Sequence, residues 1–136
     1  MNKRYASLSG DGSSSARDER VVRGRRAEQL AADYLAKQGY EILHRNWRCR
    51  SGELDLVAKR DGVLVVVEVR SRKSRNSAFG TPAESMTARK IKQVRDTAAV
   101  YFQQTGNSAA IIRFDVIAVT FGYGDEFTLD HIQAAF

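Results

Sequence analysis

Three carboxylates interrupt sequence that otherwise reads as apolar strand. In "GELDLVAKRDGVLVVVEVRSR", from Gly52 to Arg72, Glu53, Asp55 and Glu68 sit among Leu and Val residues. Carboxylates are poor strand residues and are almost never buried unpaired. They either face water or converge on something positive. Two carboxylates presented by neighbouring strands make the start of a Mg²⁺ or Mn²⁺ site, because such ions take a few carboxylates and otherwise keep water or phosphate oxygens. A divalent ion held there removes the like-charge penalty, activates a water and offsets charge that develops on a phosphoryl group.

Whether the carboxylates meet depends on the turn between them. Asp61-Gly62 separates two strand patterns, and Asp-Gly is a strong hairpin signal because both central residues of the turn take positive φ. A two-residue loop pairs Arg60 with Val63, and counting back sets Asp55 opposite Glu68 and Glu53 opposite Arg70. A four-residue loop would slide the pairing by two and keep the faces, since strand side chains alternate. The same alternation groups Leu54, Leu56, Val65, Val67 and Val69 on the core side. Like charges directly opposite cost about 0.2–1 kcal/mol, so Asp55 and Glu68 call for a compensating cation. A metal site meets that need. A solvated sheet face meets it too, with Glu53 paired to Arg70 and with Arg113, Arg48 or backbone donors satisfying Asp55 and Glu68.

The elements that must position these residues follow from periodicity. Residues 1–19, "MNKRYASLSGDGSSSARDE", are rich in Ser, Gly and charge, which predicts a disordered arm before a domain spanning 20–136. Ala27, Leu30, Ala31, Tyr34 and Leu35 recur on one helical face from about Arg20 to Gln38, and Gly39 stops that helix. Strand candidates follow in "YEILHRNWRCR" and "SGELDLVA", then the hairpin's second strand and a basic loop, "RSRKSRNSAFGTPAES", with the only proline, Pro82. A second helix from about Thr87 to Gln104 buries Ile91, Val94, Ala98, Tyr101 and Phe102, and Gly106 ends it. Two strands, "AIIRFDVIAVTF" and "DEFTLDHIQAA", close the chain around the turn "GYG". The order is α-β-β-β-α-β-β, an α/β domain.

Bulk properties narrow the chemistry. The 136 residues suffice for one ordinary core. A net charge of +6, from 22 Lys and Arg against 16 Asp and Glu, favours a polyanionic partner, and nucleic acid suits it. Arg45, Arg48, Arg50, Arg70, Arg72, Lys73 and Arg75 flank the carboxylates, and Arg89, Lys90, Lys92 and Arg95 crowd the start of the second helix; together they could track a phosphate backbone. Cys49 is the sole cysteine and His44 and His131 the only histidines, which argues against a closed zinc site and for a hard cation on oxygen ligands. No apolar run approaches the roughly 20 residues of a membrane span and no signal-peptide core opens the chain, so no membrane association and a cytoplasmic location are expected. Trp47 reads as packing, Asp115 as a partner for Arg113, and "GYG" as a turn that opens no phosphate-binding helix.

"GRRAEQLAADYLAKQGYEILHRNWRCRSGELDLVAKRDGVLVVVEVRSR", then "FGTPAESMTARKIKQV" and "RFDVIAV", resembles the YraN family of uncharacterised bacterial proteins. These are assigned to the PD-(D/E)xK nuclease superfamily and are distantly similar to archaeal Holliday-junction resolvases. The likeness runs from Gly24 to Phe136. It implies a restriction-endonuclease-like core, a central mixed sheet flanked by two helices, and a Mg²⁺-dependent endonuclease acting on DNA, branched DNA among its candidate substrates. By the same resemblance Asp55 and Glu68 bind the metal, Glu28 assists from the first helix, and Glu53 of the "GE-D" signature orients Arg70. A homodimer is plausible only by analogy with junction resolvases.

One departure matters. The superfamily's catalytic lysine is Arg70 here, and arginine stays protonated, so it can hold a phosphate but cannot act as a base. Either the metal alone activates water, or Lys73 or Lys90 reaches in, or catalysis has given way to binding. The alternatives to a nuclease are therefore a non-catalytic nucleic-acid-binding module and a basic domain that docks an acidic protein.

Overall fold

Two amphipathic helices and a set of half-apolar strands can hide their apolar surfaces together if the helices pack on opposite faces of one sheet. The computed structural model of the chain, which describes residues 12–74, 86–107 and 111–136, has this arrangement. The elements are α1 (Gly12–Lys37), β1 (Glu41–Cys49), β2 (Gly52–Arg60), β3 (Val63–Lys73), α2 (Ala88–Thr105), β4 (Ile111–Phe121) and β5 (Phe127–Ile132). The five strands lie side by side in sequence order. Only β3 and β4 run parallel, and the other neighbours are antiparallel. A parallel pair needs a long crossover, and α2 is carried in it. The result is the α-β-β-β-α-β-β mixed sheet of a restriction-endonuclease-like core. Among the described residues no helix is long and apolar enough to cross a membrane.

Each helix owns one face of the sheet. Ala27, Ala31 and Leu35 of α1 pack on Leu56, Ala58, Val65, Val67, Ile117 and Val119. Val94, Ala98, Tyr101 and Phe102 of α2 pack on Leu54, Val57, Leu64, Val66 and Val116. The central strands β2, β3 and β4 are thus buried on both sides, which is why β3 reads as a continuous Val run rather than an alternating one. Thr87 caps α2 by accepting from the Lys90 N–H, and Gly106 ends it in the left-handed conformation. α1 ends in a Schellman turn, with the Tyr40 N–H bonded to the Leu35 carbonyl and the Gly39 N–H to that of Ala36.

α1 starts earlier than its sequence suggests. The residues from Gly12 to Glu19, expected to belong to a disordered arm, are helical. No proline or glycine separates Gly12 from Gly24, so nothing stops the helix from propagating backward, and Glu19 is held by Lys73 at 3.6 Å. Residues 1–11 of the expected arm lie outside the described residues, as do Pro82 and most of the basic loop.

The hairpin has the expected register, with Arg60 facing Val63 and Leu56 facing Val67. Asp61 and Gly62 both adopt positive φ, 53° and 77°. The ladder then stops, one step short of Asp55 and Glu68. On the other side of β2, the β1–β2 register shifts between Ile42 and His44, and Asn46, with φ 51°, makes no ladder pair between Arg45–Leu56 and Trp47–Leu54 although the register is unchanged across it. Strand alternation breaks at this point. Leu54, expected beside Leu56, Val65 and Val67 on one face, packs instead under α2 while those three pack under α1. Asp55 is the residue at the break.

Candidate metal centre

Asp55 takes over a hydrogen bond that the ladder gives up. Its Oδ2 accepts from the Val69 N–H at 2.9 Å, so the side chain sits where β2 and β3 part. Glu68 continues the β3 face that carries Leu64 and Val66 beneath α2, and only 2% of it is exposed. Lys90, on the first turn of α2, brings its Nζ to 3.5 Å from Glu68 Oε1. Glu68 Oε2 is buried and has no hydrogen-bond partner among the described residues.

The two carboxylates feel each other: the Asp55 charge raises the Glu68 carboxyl. Burial pushes the Asp55 carboxyl up to about 6; the Val69 N–H and Lys90 oppose the rise, and the charges of Glu28 and Glu53 add to it. Burial, with the Asp55 charge second, likewise raises Glu68 to about 7 against the opposing pull of Lys90 and Arg70. Lys90 and the more distant Arg70 do not offset the burial of Glu68 beside the half-buried Asp55, since both carboxyls remain raised. A buried carboxylate oxygen left without a hydrogen bond is expensive. A divalent cation would satisfy both the charge and the open oxygen, so the donor set fits Mg²⁺ or Mn²⁺ held by Asp55 and Glu68. Among the described residues no three His, Cys, Asp or Glu side chains cluster at metal-binding spacing. Glu28 is near enough for its charge to reach Asp55 and Arg48, and no contact joins it to either. Two carboxylates with water and phosphate oxygens completing the shell is the habit of Mg²⁺.

Of the donors proposed for a solvated face, a backbone N–H, that of Val69, does bond Asp55, and the two arginines are engaged elsewhere. Arg113 is bound to Asp115 through two hydrogen bonds, of 2.9 and 3.0 Å. Arg48 Nε donates to Glu53 at 2.7 Å, and the two residues are directly paired across β1 and β2. That contact corrects the expectation for Glu53. It does not lie opposite Arg70 and does not orient it, because the β2–β3 ladder has ended before Glu53 is reached. Arg70 is half-buried and lowers the Glu68 pKa by its charge.

The cations expected to follow a phosphate backbone divide between the two faces. Arg45 donates to Gln29 on α1, and Lys73 pairs with Glu19 on α1. Lys90 and Arg70 stand beside Glu68. Arg72 Nε bonds the Thr120 hydroxyl at 3.2 Å, and Arg50 is exposed in the β1–β2 turn. Arg75 lies outside the described residues. Of the two lysines that could replace the missing one, Lys90 reaches the carboxylates, and Lys73 is committed to α1.

The sequence held a signal for Lys90. Val94, Thr97, Ala98 and Tyr101 form the buried stripe of α2, and Lys90 lies one turn before Val94 on the same line. A lysine on a core stripe must aim its ammonium at something. Other candidates have structural roles. Asp115 is fully buried and accepts from Arg113, from the Ala134 N–H at 3.0 Å and from His131 Nε2 at 2.7 Å. His44 Nδ1 meets the Tyr101 hydroxyl at 2.7 Å, and Trp47 packs edge-on against the Tyr101 ring.

Comparison with known proteins agrees with this frame. Residues 27–119 match the model of "Uncharacterised protein family UPF0102". A UPF0102 protein of Trichlorobacter lovleyi is 47% identical over 110 residues, covering 80% of this chain and 85% of that one. One from Pelotomaculum thermopropionicum is 45% identical over 120 residues, 88% of this chain and 98% of its own. One from Rhodococcus opacus is 41% identical over 113 residues, 83% and 94%. The matched span holds Asp55, Glu68, Arg70 and Lys90, and the chain belongs to the uncharacterised protein family UPF0102, the YraN family that its motifs resemble.

Proposed function

We propose that the chain is a metal-dependent endonuclease that hydrolyses phosphodiester bonds in DNA, branched DNA among its substrates. The observation that carries this reading is the state of Glu68: buried, beside Asp55, with one oxygen facing Lys90 and the other without a partner among the described residues. A carboxylate buried for structure alone would have both oxygens satisfied, as Asp115 does.

Asp55 and Glu68 would hold Mg²⁺ or Mn²⁺, which when bound supplies an acidified water and stabilises charge on the phosphoryl oxygens. The chain's own residues supply the rest. Val69 fixes the Asp55 carboxylate through its N–H. Lys90, with three donor hydrogens and Glu68 its one ion-pair partner among the described residues, orients a water at the edge of Glu68. Arg70, always charged, holds a non-bridging phosphate oxygen. The oxygen of the attacking water bonds to phosphorus and one ester P–O bond breaks. α2 has no acidic residue in its first turn and carries Arg89, Lys90 and Lys92 near its positive dipole end. That arrangement costs stability by itself and suits a polyanion laid across the helix start.

The test is cleavage of labelled linear, flapped and four-way-junction DNA with Mg²⁺, with Mn²⁺ and with EDTA, for wild type and Asp55→Ala, with binding read in the same samples. Metal-dependent cutting that Asp55→Ala abolishes while binding survives supports the endonuclease. Binding without cutting in either metal transfers the reading to a non-catalytic nucleic-acid-binding module, with Arg70 as the reason. Binding that lacks the steep salt dependence of phosphate contacts points to an acidic protein partner instead.

A further inference from the structure

A second concavity, of about 650 Å³, opens between the N-terminal half of α1 and the β4–β5 turn. None of Glu28, Asp55, Glu68, Arg70 or Lys90 lines it. One wall is α1, with Asp18, Glu19, Val22, Arg23 and Arg26, and the other is the end of β3 and the turn, with Lys73, Phe121 and Tyr123. The site therefore lies at the carboxyl ends of the parallel pair β3 and β4, where open α/β sheets commonly take ligands. Its volume is in the range of small-molecule sites.

The cavity is held in shape from both sides. Lys73 reaches Glu19 on α1, and the Arg26 guanidinium lies over the Phe121 ring at 5.0 Å while donating to the Asp125 carbonyl at 3.2 Å. Within this fixed frame two features lack partners. Arg23 Nε is buried and finds no acceptor among the described residues. A guanidinium donor without a partner is costly to bury, so the position calls for an anionic acceptor. Tyr123 is 91% exposed at the mouth and Val22 63% exposed, an aromatic ring and an aliphatic patch facing solvent beside the cation. An anion-seeking arginine and lysine next to an aromatic platform are the recognition elements for a phosphate attached to a planar ring.

We propose that this cavity is a nucleotide-binding site, in which Arg23 and Lys73 take the phosphate, and Val22 and Tyr123 take the base. Asp18 and Glu19 supply acceptors for ribose hydroxyls or an exocyclic amine, and the phosphate displaces Glu19 from Lys73. The site is separate from the carboxylate centre and does not depend on hydrolysis there. Two sources share this ligand chemistry, a free mononucleotide and the terminal nucleotide of a strand.

The experiment is amide NMR titration of the full chain in EDTA with AMP, with 5′-phosphorylated tetra-deoxyadenylate, with adenosine and with inorganic phosphate. Saturable shifts at Val22, Ser74 and Gly122 are expected for AMP or the oligonucleotide. Arg23→Gln and Tyr123→Ala each raise the dissociation constant about tenfold or more, and Glu68→Gln leaves AMP binding within about twofold. Saturation by AMP identifies a free nucleotide, and saturation by the oligonucleotide alone identifies a strand end. The proposal is overturned if neither probe shifts these amides up to about 5 mM, or if both variants, shown folded by their spectra, bind as the wild type does. Inorganic phosphate binding as tightly as AMP overturns it as well. Failure of DNA cleavage leaves this site untouched, and failure of AMP binding leaves the carboxylate centre untouched.

Discussion

The ammonium of Lys90 stands 3.5 Å from Glu68 Oε1, joining the first turn of α2 to the middle of β3. The lysine is 35% exposed and the glutamate 2%, so the pair sits at the boundary between solvent and core with its charged end inside. Two residues along β3, the side chain that the nuclease resemblance would make lysine is Arg70. α2 thus delivers from across the site the kind of group that β3 lacks.

Replacement of Lys90 by Met separates catalysis from binding. If Lys90 orients the attacking water, single-turnover cleavage falls by about 10²–10⁴-fold, while DNA binding changes only a few-fold because one phosphate contact at most is lost. Lys73→Met, whose ammonium serves α1, leaves the cleavage rate near wild type. A wild-type rate for Lys90→Met would remove Lys90 from the mechanism and leave water activation to the metal alone.

The metal-free protein becomes less stable as pH rises. Asp55 and Glu68 have folded-state pKa values raised to about 6 and about 7. A carboxyl raised in this way favours the folded state fully below its unfolded value, about 4, and that contribution is lost as pH climbs through 6 and 7. In EDTA, melting temperature is expected to drop by several degrees between pH 5 and pH 8. Glu68→Gln carries no charge to bury, so it shows a smaller drop and melts above wild type at pH 8. Parallel melting curves for the two proteins across this range would show that Glu68 is not raised.

Protons and cations compete for the same oxygens. Manganese binding, measured by calorimetry in two buffers of different ionisation heat, is expected to release one to two protons near pH 6 and almost none at pH 8.5. Affinity then rises by up to about tenfold per pH unit for each proton displaced. Asp55→Ala abolishes saturable binding. Affinity that does not change with pH would place the ion on ligands other than these two carboxylates.

The hairpin and its register were legible because Asp61-Gly62 allows essentially one tight turn and the turn dictates the pairs that follow it. What the sequence hid begins where the ladder ends. The break at Asp55 arises from competition between a backbone carbonyl of β2 and the Asp55 side chain for the Val69 N–H, and no local pattern announces which wins. Leu54 changes face as a consequence, and Glu53 turns to Arg48 across a β1–β2 pairing that the Gly52-to-Arg72 stretch does not contain. Lys90 was visible as one of several cations at the start of α2; its place on the Val94–Tyr101 stripe singles it out once burial is known. The start of α1 was obscured because a Ser-rich segment has the composition of a tail, and its helix is held by Lys73, far away in sequence.

Asp115 gives the contrasting case of a buried carboxylate that is structural. It lies in "RFDV", one of the motifs behind the nuclease resemblance, yet its oxygens are filled by Arg113, His131 and the Ala134 N–H. Burial alone would raise its pKa; the hydrogen bonds from His131, Arg113 and Ala134 together outweigh burial and lower it. Stability from this group is present above its unfolded pKa and is lost as pH falls through the lowered folded value, the opposite sign to Asp55 and Glu68. Asp115→Ala removes the carboxylate that Arg113 and His131 share and leaves them only Tyr40 and Tyr34, which costs about 3–5 kcal/mol, measured by urea unfolding at pH 7. The same urea series at pH 8 in EDTA on Glu68→Gln runs the other way, to a higher midpoint. Two buried carboxylates in one small sheet, one whose loss unfolds the protein and one whose neutralisation stabilises it, would distinguish the frame from the site it carries. A destabilising Glu68→Gln would mean that Glu68, like Asp115, belongs to the frame.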